Sequence, residues 1–278
     1  MMKTKTNYHT HIYLCKHAIG DINDYAEKAI NLGYEELGIS DHCPLTDELV
    51  RKIYSRRMTL EQYYQTYLPS LEENKLRYKD QLTILGALEA EYFEEMLDFY
   101  PKALKDLDYL ILGQHYFKYN NRFISVYSQL SSEMIKTYCD TLCKAMDTGY
   151  FKIIAHPDLF CWGYPFWDDF CVEITNRIIE SAIKNNVILE INANGIRNCE
   201  NTFRYTTHPS SKNPRKEEHH YAYPNYEFFK LVSQSDALVI INDDSHDPEH
   251  LYDKYTIQAF EFAEDLGINV INSIKNDK

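Results

Sequence analysis

The sequence predicts an α/β fold, a single distorted seven-stranded (β/α)7 barrel over residues 1–278. Three observations carry that prediction. Seven short apolar runs are spaced along the whole chain, most of them are followed by a segment with helical spacing, and each run closes on or beside His, Asp or Glu. Near-continuous apolar runs mark buried parallel strands, and α/β barrels gather their chemistry at the carboxyl ends of the strands. Side chains that recur at that one point of each unit therefore converge in space.

In order, the runs are residues 5–11, 37–42, 84–89, 110–115, 153–156, 188–192 and 239–246. After the first, Ile22, Tyr25, Ala26, Ala29 and Ile30 share one helical face and Gly33 ends the helix. A helical stretch begins near Thr59. Pro69 should separate it from a second helix, opened by a capping box of Ser70 and Glu73 and running towards Lys79. Further helices are expected over residues 97–107, 132–148, 172–185, 225–235 and 250–266. Residues 268–274 either add a short last strand or pack against the barrel bottom. Residues 193–224 show no helical period and read as a long substrate loop carrying Arg197, Arg204, His208, Lys212, Arg215, Lys216, His219 and His220. Connections beyond ~12–15 residues are commonly functional. With no Pro/Gly/Ser-rich linker and no internal repeat, strand and helix alternate through one closed domain.

Composition narrows the function. A formal charge of −13 with no Lys/Arg stripe repels polyanions, so long nucleic acid is not expected as a partner. No apolar run approaches the ~20 residues that cross a bilayer, and the N-terminus lacks a signal-peptide core, so neither membrane nor export is expected and the location is cytoplasmic. Seven cysteines, an odd number, fit a reducing compartment. Cys139 and Cys143 read as core, and Cys15 and Cys43 as neighbours of the histidine-rich strand ends. Nothing in the sequence sets the oligomeric state.

His9 and His11 form a His-x-His pair whose imidazoles point the same way and can share a cation. His42, His115, His156 and His246 close later strands, and His17 stands in the turn before the first helix. With Glu89 and Asp244 they make nine ligands, too many for one ion. The set suits two or three divalent transition-metal ions, with Zn, Mn or Fe matching nitrogen and oxygen donors. Two cations ~3.5–4 Å apart need a carboxylate bridge. Glu89 is the candidate, and Glu91, of the same parity along the strand, is the alternative.

These residues resemble the PHP (polymerase and histidinol phosphatase) family of metal-dependent phosphoesterases. His9-Thr10-His11, His17, Ser40-Asp41-His42, Leu88-Glu89, Gln114-His115, Ala155-His156-Pro157 and Asp244-Ser245-His246 match its motifs in order, from residue 7 to about 270. The resemblance implies a seven-stranded barrel with up to three metals. It assigns His9, His11, Glu89 and Asp244 to one ion, Glu89, His115 and His156 to a second, and His17, His42 and His246 to a third. Within the family the chain looks closest to stand-alone histidinol-phosphate phosphatases of histidine biosynthesis. Residues 190–197 resemble their Glu-x-Asn…Gly-x-Arg stretch, whose arginine, here Arg197, is expected to face phosphate. Tyr223-Pro224 resembles the next segment of those phosphatases. Gln114 departs from the Ser-Val that often precedes the histidine, and residues 157–176 carry no Arg or Lys, so a base needed there must come from elsewhere.

The expected reaction is hydrolysis of a small phosphomonoester by a hydroxide bridging the cations, with Asp244 or His246 passing a proton to the leaving oxygen and Arg197 completing the clamp. Phosphotyrosine, nucleotides or oligonucleotide ends are alternative substrates. An amidohydrolase also opens with His-x-His, yet has no place for His17, His42 and Glu89 together. A non-catalytic barrel would have lost ligands, whereas all nine positions are filled.

Overall fold

A computed structural model describes residues 5–53, 55–206 and 220–275. One sheet runs β1 (Lys5–Asn7), β2 (Tyr34–Ile39), β3 (Thr83–Ala90), β4 (Tyr109–Leu112), β7 (Ile153–Ile154), β8 (Ile188–Asn192) and β11 (Val239–Asn242), every neighbouring pair parallel. The seven apolar runs are therefore the seven strands of an α/β barrel, as expected. Residues of one parity, among them Leu85, Ala87, Ile111, Ile153, Ile188 and Ile240, pack inside. Their neighbours Ile84, Leu88, Leu110, Ile154, Leu189 and Ile241 pack outward against the helices. A period of two then carries Glu89, Glu190 and Asn242 onto the inner face, above the plug.

Closure between the first and last strands is made by side chains. Asn7 Oδ1 accepts from the Asp243 amide at 2.8 Å, and Asn242 Oδ1 accepts from the Tyr8 amide at 2.8 Å. One step further up, the His11 amide donates to the Ser245 carbonyl at 2.8 Å. Backbone pairing across the seam thus begins at the level of the clustered histidines.

The helices α1 (Ile22–Leu32), α6 (Ser132–Asp147), α8 (Asp169–Asn185) and α10 (Tyr226–Val232) form close to where the apolar spacing put them, and a short α7 (Phe160–Gly163) precedes α8. Others depart from expectation. Residues 60–78 form one continuous helical rod rather than two: α3 (Leu60–Gln62), a π-helical turn (Tyr63–Tyr67) and α4 (Leu68–Tyr78), capped at Thr59 by a box with Gln62. Proline lacks the N–H of the helical ladder and clashes one turn back, and the wider winding just before Pro69 accommodates it. Ser70 lies inside the helix and caps nothing. The helix expected over 97–107 shrinks to a 3-10 turn (Glu94–Met96) and α5 (Tyr100–Ala103). An unexpected α2 spans Asp47–Ile53. Beyond β4 an unexpected hairpin pairs β5 (Tyr116–Tyr119) with β6 (Arg122–Ser125) through Asn120 and Asn121, both left-handed at φ 48° and 60°. Paired left-handed asparagines make the tight turn that matches strand twist.

The stretch expected to be a loop from residue 193 opens with α9 (Ala193–Thr202), whose first turn is capped by Asn192 accepting from the Gly195 amide at 2.8 Å. Its Asn-rich sequence has low helix propensity, so this cap and the burial of Ala193, Ile196 and Cys199 set the helix. After it, β9 (Tyr205–Thr206) pairs antiparallel with β10 (His220–Tyr221). His208, Lys212, Arg215, Lys216 and His219 lie outside the described residues. The final segment adds no strand beyond a single bridge from Val270 to Val239, and Ile274 joins the inner plug. Among the described residues no helix is long and apolar enough to cross a membrane, and all seven cysteines are free.

Candidate metal centre

Glu89 stands at the middle of the upper barrel, ringed by five histidines. Its Oε1 lies 3.6 Å from His9 Nε2, 3.6 Å from His115 Nε2 and 3.1 Å from His156 Nε2. Its Oε2 lies 3.5 Å from His11 Nε2 and 2.9 Å from His42 Nδ1. Each carboxylate oxygen so faces a different set of rings, the arrangement a bridging ligand needs. Gly113 makes the room: a Cβ there would stand 2.0 Å from Glu89 Oε1. Glu91, the alternative bridge, turns away instead. Its carboxylate takes a paired contact from Arg57, Nη1 at 2.8 Å and Nη2 at 3.0 Å, and reaches His115 Nδ1 at 3.4 Å.

Most of the rings have one nitrogen tied to the protein and the other turned into the cluster. His9 Nδ1 meets Glu190 Oε1 at 2.8 Å, His11 Nδ1 meets Asp41 Oδ1 at 3.4 Å, His17 Nδ1 meets the Cys15 carbonyl at 2.8 Å, and His246 Nδ1 meets the Asp244 carbonyl at 3.1 Å. Such outer partners fix tautomer and orientation in metal sites. Glu190 is itself held by Asn192 and Asn242 at 2.8 and 2.9 Å and by the His156 amide. Asp244 Oδ2 is held by Asn192 at 3.1 Å, leaving Oδ1 towards His11 at 3.2 Å and His9 at 3.6 Å.

Three groups assemble with their ligand atoms within 4.8 Å of one another: His9, His11 and Asp244; Glu89, His115 and His156; His17, His42 and His246. They parallel the partition that the resemblance implied, while a further group of His11, His42 and Glu89 cuts across it. Cys15 is buried beside His11 and His246, its thiol pushed up to about 12, first by burial and then by Asp41.

The donor set fits cations. His9 Nε2 and His11 Nε2 face each other at 3.1 Å while both Nδ1 atoms address carboxylates, so two lone pairs converge where only positive charge relieves them. His156 Nδ1 is buried without a hydrogen-bond partner among the described residues. Titration follows the same geometry. Burial opposes charge on His9 and His11, yet Glu190, Asp244, Asp41 and Glu89 outweigh it, lifting His9 well above the usual range and His11 to about 9. Burial and the neighbouring His11 push His42 well down and His246 to about 3. Despite burial, the surrounding imidazoles hold Glu89 and Asp244 well below the usual carboxylate range. His156 and Asp244 also sit at left-handed φ of 34° and 47°, backbone strain that side chains with Cβ rarely carry.

A cavity of about 490 Å³ opens above the cluster, and Arg57, Arg197 and His250 line it with Tyr116, Tyr127 and Tyr223. The two arginines differ in what they have left to offer. A guanidinium has five N–H donors. Arg57 commits all five, Nε to Ser55, Nη1 to the Cys43 carbonyl and Glu91, Nη2 to Ser55 and Glu91. Arg197, carried by α9, commits two, Nη1 to Asn194 at 2.7 Å and Nη2 to Asp253 at 2.7 Å, and lies 4.9 Å from the Tyr255 ring. Its other three have no partner among the described residues.

The nine ligand candidates of the sequence lie in one cluster around Glu89, and six of them, His17, His42, Glu89, His115, Asp244 and His246, line the cavity together with Arg197. Sequence reasoning missed Arg57, whose segment between α2 and α3 carries no motif, and gave no role to Glu190, which strand parity placed on the inner face. Gln114 ties the ends of β3 and β4 together, accepting from the Tyr92 amide at 2.8 Å and donating to the Tyr116 carbonyl at 2.5 Å. No base replaces the one missing from 157–176 on that segment. Arg204 comes from elsewhere to lie 5.4 Å from the Trp162 ring.

Comparison with known proteins agrees with this fold. A protein of Schizosaccharomyces pombe described as "Probable histidinol-phosphatase" is 24% identical over 287 residues, covering 94% of this chain and 86% of that one. A Deinococcus radiodurans protein of the same description is 29% identical over 160 residues, 54% of this chain and 59% of its own. The solved histidinol phosphate phosphatase of Lactococcus lactis, complexed with zinc, L-histidinol and phosphate, shares the fold at a TM-score of 0.66 and 15% identity, over 96% of this chain and 95% of that one. The family model for the PHP domain matches residues 7–194, from the first strand end through the start of α9, and the chain belongs to the PHP domain family.

Proposed function

We propose that the chain is a metal-dependent phosphomonoesterase whose substrate is histidinol phosphate, working in histidine biosynthesis in the reducing cytoplasm that seven free thiols suit. The observation that carries this is one cavity with two faces: a floor of nitrogen and oxygen ligands centred on Glu89, and a wall where Arg197 presents uncommitted donors. The curated relatives described as histidinol-phosphatases supply the substrate, and the aromatic wall suits it. Tyr127 stacks beside His115 at 6.2 Å and Tyr223 meets His156 edge-on at 6.1 Å, flat surfaces on which an imidazole can lie.

His9, His11, His17, His42, Glu89, His115, His156, Asp244 and His246 would hold two or three divalent ions, with Zn, Mn or Fe suited to the donors. When bound, the ions supply Lewis acidity, an acidified water and charge against the phosphate oxygens. Arg197 binds and orients the phosphate through its free N–H groups. Glu190 and Asp41 keep His9 and His11 in the tautomer that turns Nε2 inward. Asp244 or His246 hands a proton to the leaving oxygen. Burial and then His11 oppose protonation of His246, and the surrounding imidazoles oppose that of Asp244. The whole chain serves as one barrel unit, with residues 193–224 supplying substrate contacts.

The test is phosphate release by Mn- and Zn-loaded protein from histidinol phosphate, sugar phosphates, nucleotides, oligonucleotide ends and phosphotyrosine. Histidinol phosphate should give the highest kcat/KM. Preference for phosphotyrosine or a nucleotide would transfer the function to that class, and no release from any of them would remove the phosphatase assignment.

A further inference from the structure

His250 belongs to none of the metal groups, yet its ring lines the same cavity as Arg197. It sits at the end of a 3-10 turn (Pro248–His250) on the connection between β11 and α11 (Lys254–Asp265). That connection is pinned from several sides. The His250 amide donates to the Asp247 carbonyl at 2.8 Å, the Ile19 amide to the His246 carbonyl at 2.9 Å, and Lys28 pairs with Glu249 at 2.7 Å. The backbone that carries the ring is therefore fixed by the fold, and no hydrogen bond to the ring is made among the described residues.

Its Nδ1 is buried and has no hydrogen-bond partner. A neutral imidazole carries one N–H, and enclosing that proton where nothing accepts it is costly, so the proton belongs on Nε2 and Nδ1 keeps its lone pair. Burial and then the charge of Arg197 hold the ring's proton affinity below the usual range, which keeps it neutral near pH 7. A neutral ring of this tautomer offers one donor to whatever occupies the cavity. Of the polar groups on that wall, Asn194 is bonded to Arg197, Asn198 to Tyr223, and Ser55 to Arg57. Arg197 offers three uncommitted N–H groups there and this ring one more, beside the hydroxyls of Tyr116, Tyr127 and Tyr223 in the same lining.

We propose that His250 is a second phosphate-contacting residue, donating Nε2–H to a phosphate oxygen beside the guanidinium of Arg197. The proposal rests on the phosphomonoesterase assignment and adds to it a pairing of one cationic and one neutral donor, from α9 and from the β11–α11 connection. A neutral donor beside a cation lets product phosphate leave more readily than two cations would.

The experiment titrates inorganic phosphate calorimetrically into metal-loaded wild-type protein and into His250→Ala, His250→Gln and Arg197→Ala, with metal content measured for each. His250→Ala should keep its metals and bind phosphate about 10- to 100-fold more weakly, as expected for one lost hydrogen bond to a charged group. His250→Gln, which retains an N–H donor of similar reach, should recover part of that loss. Unchanged phosphate affinity in His250→Ala, loss of metal in that variant, or no recovery in His250→Gln would each overturn the proposal. If Arg197→Ala weakens phosphate binding while His250→Ala does not, only the histidine's role fails. If neither variant weakens it, the phosphate site itself has been misplaced.

Discussion

The floor and the wall of the cavity are built in different ways. On the floor, the ligand side chains stand at strand ends or in the turns just beyond them, most of them braced by a second partner such as Glu190, Asp41 or a backbone carbonyl. On the wall, Arg197 and His250 come from a helix and a pinned connection, and Arg197 reaches the cavity on a long side chain held at two of its five donors. A shared cation tolerates little error in ligand position, so backbone sets the floor. A phosphate with several oxygens tolerates more, and side-chain reach suffices on the wall. Changes to the floor should therefore show in metal content, and changes to the wall in substrate handling alone.

The largest effect expected is from Glu89→Gln, which should abolish activity and remove at least one ion per chain, since both oxygens serve facing sets of histidines. Elemental analysis beside an activity assay checks it. Arg197→Ala should keep its metals and lose about 30- to 1,000-fold in kcat/KM, or about 2–4 kcal/mol, if the contact tightens in the transition state. Metal loss in that variant would erase the distinction between floor and wall.

Glu91, two residues beyond Glu89, sharpens the contrast. Glu91→Gln leaves Arg57 buried without its charge partner, which should cost about 3 kcal/mol or more in stability. Loosening the His115 ring should weaken metal binding by about 10- to 100-fold, well short of the loss in Glu89→Gln. Chemical denaturation and metal titration separate the two effects. Equal metal loss in both variants would move the bridge to the pair.

The smallest effect is on thermal stability against pH. In chelator-treated protein His11 binds its proton more tightly folded than unfolded, so its stabilising contribution is full below about 6.5 and fades as pH rises towards about 9. The depressed Glu89 and Asp244 contribute above the ordinary carboxylate range and lose that only at acid pH. Ligation requires neutral imidazoles, so added metal should reverse the alkaline trend. Melting temperatures between pH 6.5 and 9 should fall without metal and hold or rise with it. Parallel profiles would show that these histidines do not bind the ions.

The two regions were also unequally legible in the sequence. Strand ends are local and periodic: an apolar run closing on His or Glu shows both the strand and the direction of its last side chains, and the nine floor residues were readable for that reason. The wall depends on tertiary placement. α9 is held by an Asn192 cap and by burial rather than by propensity, so Arg197 was read as a loop residue. Arg57 finds Glu91 across 34 positions of sequence, and no spacing rule joins them. His250 sits in a turn whose only local sign is Pro248. The Asn120-Asn121 hairpin was available to a reading of turn residues, and the rod through Pro69 was not, because its π-type turn is an accommodation to the proline that the proline itself does not announce.

The central claim is that Glu89 joins a multinuclear floor, and metal stoichiometry tests it most directly. Wild-type and Glu89→Gln proteins are purified without chelators, loaded with Zn or Mn, and analysed for metal per chain alongside hydrolysis of histidinol phosphate. Two or three ions per wild-type chain are predicted, with at least one fewer in Glu89→Gln and no turnover. One ion or less in a fully active wild-type protein, or the same count in both proteins, would contradict it.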